Sequence, residues 1–201
     1  MNTPSHCMVN LALLSRATAP QDNGAIALGA VLPDLPIFIF YFVAKYLQKM
    51  PERQIWSEGY YRPLWQNLVA LGHSIPLAGM AAALCYYFNW TTAALLFASM
   101  VFHSLFDLPV HNDDAHRHFY PFSNYRFISP ISYWDPKHYG RIVSLVELLL
   151  VIAVIPLILT LFTSILLKAL GMVWPLLFLV SYLRLYLIGV FKEKNPPSKA
   201  N

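Results

Sequence analysis

The segment 100–120, MVFHSLFDLPVHNDDAHRHFY, concentrates the side chains of this chain that could do chemistry. It holds four of the seven histidines and three of the six aspartates. His103 and Asp107 are four residues apart, so on a helix both point from one face. A histidine and a carboxylate at this spacing could bind one divalent ion. His111 would extend the same face by one turn if Pro109 does not end the helix.

The residue types narrow the kind of metal site. The two cysteines, Cys7 and Cys85, are far apart and form no CxxC pair, so a structural thiolate site is not indicated. Histidine and carboxylate ligands favour zinc, manganese or iron(II) in a hydrolytic or oxidative role. The available ligands could bind one to three ions, which together would activate water for phosphoryl transfer. The alternative is that the loop sequence HNDDAHRH is only a solvated surface.

The composition predicts a membrane protein. Of the 201 residues, 57% are hydrophobic and 12% are charged, with a mean hydropathy of +0.49. A soluble domain carries about 25% charged residues. The net charge of +4 is therefore assigned to basic flanks of membrane spans, and no nucleic-acid partner is expected. The N-terminal sequence MNTPSHCMVNLALLSR lacks a basic start and has a short apolar core, so no cleavable signal peptide is expected.

Hydropathy predicts an all-α polytopic bundle with about five spans, since a helix needs about 20 residues to cross a bilayer. Very short connections join the second span to the third and the fourth to the fifth, which predicts two tight hairpins. One membrane-embedded domain is expected over residues 1–191, followed by a polar, disordered tail at 192–201. The predicted spans cover residues 24–46, 66–88, 91–110, 142–167 and 170–191.

A half-length helix is predicted before the first span. Residues 5–16 follow Thr3 or Ser5 as a capping residue, with Pro4 near the helix start. A helix of this size is about 18 Å long, which is half a bilayer. It would carry His6 part of the way into the membrane.

Ionisable side chains within the spans are predicted to share one layer. Basic residues concentrate in the loops 47–65 and 111–141 and in the tail, which the positive-inside rule places on the cytoplasmic side. Counted from that side at 1.5 Å per residue, most ionisable residues lie within about 5 to 15 Å of the surface. Such residues are costly in a membrane and indicate function. They are Asp34, which lies between Pro33 and Pro36 at an expected helix break, and His73, His103, Asp107, Glu147 and Arg184.

Four short motifs carry a resemblance to a known family. TPSH, GAVLPDLP, GHS and FHSLFDLPVH look like the motifs of the bacterial inner-membrane metal-dependent hydrolases, the YdjM-like proteins. That family is similar in motif order to the all-helical, zinc-dependent phospholipases C. The resemblance covers roughly residues 3–118 and implies a zinc site in the inner membrane. The ligands that it implies are His6, Asp34, His73, His103 and Asp107, and, with a weaker match, His111, His116 and His118.

The second long loop offers further candidates. Asp135 and His138 lie three residues apart, and Glu147 follows nine residues later, so these three could add ligands. The alternative for Asp135–Pro136 is a simple turn, and Glu147 could instead pair with Arg184. A general base is expected from Asp113, Asp114 or Asp135. An anionic head group is expected to bind Arg117, Arg126, Lys137 or Arg184.

These patterns favour a membrane hydrolase that uses metal-activated water on a phosphoester or ester of a lipid or amphiphile. The alternative is a non-catalytic membrane subunit that binds haem or chlorophyll through His73 and His103. Such a cofactor needs no carboxylate beside its ligand, so Asp34 and Asp107 argue against it. A metal transporter would need polar residues through the full thickness of the membrane and ranks last.

Overall fold

The computed structural model describes residues 1–15 and 18–188, and this part of the chain is helical with no strand. Four of its helices are long and apolar enough to cross a membrane, and one bent helix pair supplies a fifth candidate. The predicted all-α bundle with about five spans and a half-length N-terminal helix is confirmed. The predicted tail at 192–201 and the last residues of the predicted fifth span lie outside the described residues.

Within residues 1–15 and 18–188, seven helices build the bundle, and a further helical segment, Glu52–Gln54 followed by Ile55–Gly59, lies in the first long loop. In helix α2 (Pro20–Leu47), a 3-10 turn, Leu32–Asp34, joins the α-helical parts Asn23–Val31 and Leu35–Phe42. This turn contains Pro33 and ends two residues before Pro36, so it lies at the expected proline break. The seven helices are α1 (Thr3–Leu14), α2 (Pro20–Leu47), α3 (Pro63–Gly72), α4 (Ile75–Tyr87), α5 (Thr91–Val110), α6 (Gly140–Leu161) and α7 (Ile165–Tyr186).

The start of α1 differs from the predicted one. The helix begins at Thr3 with Asn2 at the N-cap, and no side chain caps it. Thr3 and Ser5 were predicted to cap, but both hydroxyls have tertiary partners. Thr3 Oγ1 donates a hydrogen bond to Asp34 Oδ2 at 2.5 Å, and Ser5 Oγ accepts one from the Trp174 indole at 3.0 Å. The helix end is therefore fixed by contacts with the rest of the bundle.

The predicted second span is broken, which is a correction to the continuous helix expected over 66–88. Helices α3 and α4 meet at an angle of 42°. His73 ends α3, and Ser74 starts α4 by accepting a hydrogen bond from the Leu77 backbone nitrogen. Pro76 in the first turn of α4 favours a new helix start at this point. The break leaves the Ile75 nitrogen free to donate to the His118 carbonyl at 2.9 Å.

The two hairpins are present, and the second has a shifted turn. Asn89 adopts a left-handed conformation, with a φ of 60°, in the short connection between α4 and α5. Helix α6 ends at Leu161 and α7 begins at Ile165, so Lys168 lies in the first turn of α7 and not in the connection. The backbone is extended at Phe162, which ends α6, and at Ser164, which precedes α7, so the turn lies between Leu161 and Ile165.

Helix α5 is central and carries His103 and Asp107 into the interior. It packs against α2 and α4, while α1 packs against α2 and α6. Gly29 allows the approach of α2 to α5, because a Cβ at this position would collide with the Leu96 carbonyl and lie 2.9 Å from Ser99 Cβ. Buried Ser99 reinforces the contact by donating to the Ile26 carbonyl and accepting from Asn10. This packing brings the polar residues of α2 and α5 to the same level.

Candidate metal centre

Four buried side chains from three separate segments surround one point. Each of Asp34, His73, His103 and Asp107 offers one ligand atom, and these atoms lie within 4.8 Å of one another. His73 Nε2 is 3.4 Å from Asp34 Oδ1 and 3.6 Å from Asp107 Oδ2. His103 Nε2 is 3.6 Å and 3.1 Å from the same two oxygens. Ligands bound tetrahedrally to zinc at about 2.0–2.1 Å are separated by about 3.3 Å, so these residues fit such an ion.

The two histidine rings are oriented for this role. Nδ1 of His103 lies 2.7 Å from the Ala30 carbonyl oxygen, and Nδ1 of His73 lies 2.9 Å from the Val69 carbonyl oxygen. A carbonyl only accepts, so each Nδ1 carries a proton, and in the neutral form of each ring Nε2 presents a lone pair. Both Nε2 atoms are buried and have no hydrogen-bond partner within the described residues. A buried polar atom without a partner is costly, and a bound cation would supply one.

A second group of possible ligands shares Asp107. It consists of Asp107, His111 and His116, whose ligand atoms also lie within 4.8 Å of one another. Asp107 Oδ1 is 3.2 Å from His111 Nε2, whereas Oδ2 faces His73 and His103. The carboxylate of Asp107 thus directs one oxygen toward each group of possible ligands. In this arrangement the carboxylate could bridge two ions.

Two loop histidines are held in the neutral form. Burial in the interior is the largest cause that lowers the pKa of His118, to about 4. Burial is also the largest cause that holds the pKa of His116 well below its usual value. A neutral imidazole can donate a lone pair to a metal. His118 lies next to the first group, with Nδ1 3.4 Å from the His73 carbonyl, but it belongs to neither group of possible ligands.

The N-terminal residues close the cluster from one side. His6 Nε2 is 2.8 Å from Asp107 Oδ1, and its ring stacks on that of His103 with the centroids 3.7 Å apart. The amino group of Met1 lies 2.6 Å from the same Asp107 oxygen. The half-length helix α1 therefore brings His6 into the cluster.

Glu147, which was predicted as a further metal ligand with Arg184 as its alternative partner, is buried near the cluster and pairs with Asn2. Its Oε1 accepts hydrogen bonds from the backbone and side-chain nitrogens of Asn2, both at 2.9 Å. Arg184 is exposed, and the described residues contain no ion pair between it and Glu147. Glu147 belongs to neither group of possible ligands.

Asp135 and His138 form a separate pair outside the cluster. Asp135 Oδ2 is 2.7 Å from His138 Nδ1, and Asp135 Oδ1 accepts a hydrogen bond from the Lys137 backbone nitrogen. The segment Pro136–His138 is a 3-10 turn that Asp135 caps. The turn is therefore the interpretation that the geometry supports, because the local hydrogen bonds occupy both side chains.

The basic residues expected to bind an anion do not face the cluster. Arg117 donates to Gln66 O and Asn67 Oδ1, both at 2.7 Å, and Arg126 donates to Gln66 Oε1. These two arginines fasten the second long loop to α3. Lys137 and Arg184 are exposed. The fork of the arginine side chain serves to hold the loop in place.

A cavity of about 600 Å³ opens beside the cluster. Asp34, His111 and His116 form part of its wall, together with Asp113 and Asp114. Asp114 Oδ2 lies 3.0 Å from His111 Nδ1 and accepts a hydrogen bond from the Trp134 indole. Sequence reasoning missed the aromatic wall contributed by residues 56–61, and the spacing of Trp56, Tyr60 and Tyr61 in IWSEGYY was the available signal.

Comparisons of this chain with protein-family models, with curated proteins and with solved structures found no match.

Proposed function

We propose that this chain is an integral membrane metal-dependent hydrolase that cleaves a phosphoester or ester of a lipid or amphiphile. The observation that carries the proposal is the position of Asp107, whose two oxygens face two separate groups of buried histidines next to an open cavity. Bound divalent ions, of which zinc is the expected one, would supply activated water and stabilise charge in the transition state. The family resemblance of the four sequence motifs supports the same chemistry.

The residues of the chain have distinct roles in this proposal. Asp34, His73, His103 and Asp107 would hold the first ion, and Asp107, His111 and His116 would hold the second. Thr3 orients Asp34, and Asp114 orients His111. Asp113 and Asp114 are the candidates for the general base, because both line the cavity and Asp135 does not.

The burial of the cluster supports a membrane-level site. His6, His73, His103 and Asp107 are at most 1% exposed, and the cavity gives access from one side. We place the chain in the bacterial inner membrane with its two long loops and C-terminus in the cytoplasm, on the distribution of basic residues and the family resemblance. An amphiphile could then enter from the cytoplasmic leaflet.

The geometry favours the hydrolase over a haem- or chlorophyll-binding subunit. His103 Nε2 faces two carboxylates within 3.6 Å, and the His6 ring covers the His103 ring. A macrocycle bound to this nitrogen would have to displace both carboxylates. The anionic oxygens instead suit a small, bare cation.

The test is hydrolysis by the detergent-purified protein after chelation and zinc reloading. The substrates are phospholipids and short-chain phosphodiester, phosphomonoester and carboxylic ester amphiphiles. We expect cleavage of at least one class, lost on chelation, restored by zinc and absent in Asp107→Asn. A fully metal-loaded protein that cleaves none of these classes would overturn the proposal, as would full activity in Asp107→Asn.

A further inference from the structure

The cavity beside the metal centre extends down the side of a membrane-crossing helix. Ile37 and Phe38 of α2 belong to its lining, and α2 is long and apolar enough to cross a bilayer. Phe38 precedes the helix end at Leu47 by nine residues, which at 1.5 Å per residue is about 13 Å. Since the hydrocarbon layer is about 30 Å thick, the deep end of the cavity would lie well inside it.

The half-length helix α1 leaves this side of α2 uncovered. The hydrogen bond from Thr3 to Asp34 fixes the start of α1 at the level of the metal centre. From there α1 packs against the part Asn23–Val31 of α2. Within the described residues, the part Leu35–Phe42 has no comparable contact with α1. The first residues of the chain, Met1 to Thr3, instead line the cavity.

The uncovered side of α2 is an apolar face. Leu35, Phe38, Ile39 and Phe42 are spaced as i, i+3, i+4 and i+7, so they share one side of the helix. They are between 40% and 55% exposed, whereas Phe40 is buried in a core cluster with residues of the first long loop and α3. Phe38 belongs both to the apolar face and to the cavity wall. The cavity therefore reaches the outer surface of the bundle at Phe38.

Aromatic residues lie at the other end of the opening. Trp56 and Tyr61 in the first long loop line the cavity and are 43% and 48% exposed. Tryptophan and tyrosine concentrate at the level of lipid head groups. The opening thus runs from the head-group level at Trp56 and Tyr61 to the hydrocarbon level at Phe38, which is the path of a lipid molecule in one leaflet.

We propose that the cavity opens laterally into the cytoplasmic leaflet, and that an acyl chain of the substrate passes Phe38 and stays in the bilayer while its ester reaches the metal centre. The inference rests on the proposed function for the chemistry and deepens it, because it names a membrane-resident lipid as the substrate. A chain that stays in the bilayer avoids the unfavourable transfer of apolar surface to water.

Fluorescence quenching tests the direction of the opening. Cys7→Ala and Cys85→Ala remove the native cysteines, and Phe38→Cys, Phe42→Cys and Ser57→Cys each place one label. The proteins are reconstituted in vesicles of phospholipids brominated on their acyl chains, with iodide as the aqueous quencher. We expect brominated lipid to quench the labels at 38 and 42 to within a factor of two of each other, and iodide to quench mainly the label at exposed Ser57. Iodide quenching at 38 as strong as at 57 overturns the lateral opening.

Matched phenylalanine variants test the contact with the chain. For the ester class that the protein hydrolyses, kcat/KM is measured for a long-chain lipid in vesicles and for its water-soluble dibutanoyl analogue. Phe38→Asn should lower the ratio of the first value to the second fivefold or more, because the long chain alone loses a contact.

Phe42→Asn is the control. Phe42 is on the same face and is similarly exposed, but it lies one turn nearer the cytoplasmic end of α2 and is not part of the cavity. Its variant should keep the original ratio. The same ratio in Phe38→Asn and Phe42→Asn would show that the chain does not pass Phe38.

The two experiments separate this inference from the proposed function. Quenching of the label at 38 by brominated lipid, in a protein that hydrolyses no ester, supports the lateral opening and contradicts the enzyme. Hydrolysis that favours the dibutanoyl analogue over the long-chain lipid, together with iodide quenching at 38, supports the enzyme and contradicts the route through the membrane.

Discussion

His103 on α5 is tied to α2 through the carbonyl oxygen of Ala30, which lies 2.7 Å from its Nδ1. This bond fixes the tautomer and directs Nε2 toward Asp34 and Asp107. The residue before Ala30 is Gly29, where the backbone of α2 lies close to Leu96 and Ser99 of α5. Helix packing and ligand orientation are therefore set by one contact region.

Metal content should depend on Asp107 more than on any single histidine. We expect about two ions per chain from the two ligand groups, about one in His103→Ala and in His116→Ala, and none in Asp107→Asn. The shared carboxylate explains the difference, because each histidine serves one group only. Elemental analysis of the detergent-purified protein measures these ratios.

His138→Ala is the control for that series. His138 pairs with Asp135 outside the cluster, so its removal should leave the metal content unchanged. Loss of metal in His138→Ala, or full metal content in Asp107→Asn, would contradict the proposed ligand groups.

Thr3 should act on the metal through Asp34. Its hydroxyl donates to Asp34 Oδ2, which leaves Oδ1 facing His73 and His103. Loss of a hydrogen bond that orients a ligand costs about 10- to 100-fold in metal affinity. We expect a weakening of this size in Thr3→Val, measured by competition with a chelator, and recovery in Thr3→Ser. Equal affinities in the two variants would show that the hydroxyl does not orient Asp34.

Gly29 should tolerate no side chain. Gly29→Ala places a methyl group against Leu96 O and Ser99 Cβ, and overpacking of this kind costs about 1–3 kcal/mol. The gain of about 0.5–1 kcal/mol from replacing a helical glycine only partly offsets it. We expect a lower melting temperature in detergent, together with weaker metal binding because Ala30 shifts.

Gly24→Ala provides the comparison within the same helix. A Cβ at position 24 would meet nothing within 4 Å, so this variant should be as stable as the original protein or slightly more so. If Gly24→Ala and Gly29→Ala have the same melting temperature, α2 and α5 do not approach as closely at Gly29 as described.

The local pattern of the sequence predicted a large part of the cluster. The four-residue spacing of His103 and Asp107 placed both on one helix face, and counting along the spans placed Asp34 and His73 at a similar depth. The predicted half-length helix at the N-terminus brings His6 into contact with Asp107. These predictions succeed because helical geometry converts sequence spacing into position.

Other features depend on contacts that spacing does not encode. The break that follows His73 is stabilised by the Ile75 nitrogen, which donates to the carbonyl of His118, 43 residues after Ile75. Arg117 was expected to bind substrate, but Gln66 and Asn67 hold it. A charged side chain in a loop has many possible partners, and only the tertiary fold selects among them.

Two aspartate–histidine pairs should behave differently. Asp114 Oδ2 lies 3.0 Å from Nδ1 of His111, whose Nε2 faces Asp107, whereas Asp135 Oδ2 lies 2.7 Å from Nδ1 of His138 in a surface turn. Asp114→Asn removes the carboxylate that orients His111, so the second ion should bind about 10- to 100-fold more weakly.

Asp135→Asn is the matched control and should leave the affinities for both ions unchanged. Chelator competition on the zinc-loaded protein resolves the two affinities. An Asp114→Asn protein that retains the second ion as tightly as Asp135→Asn does would mean that His111 needs no carboxylate to hold its orientation. The hydrogen bond from Trp134 to Asp114 would then serve only to fasten the second long loop.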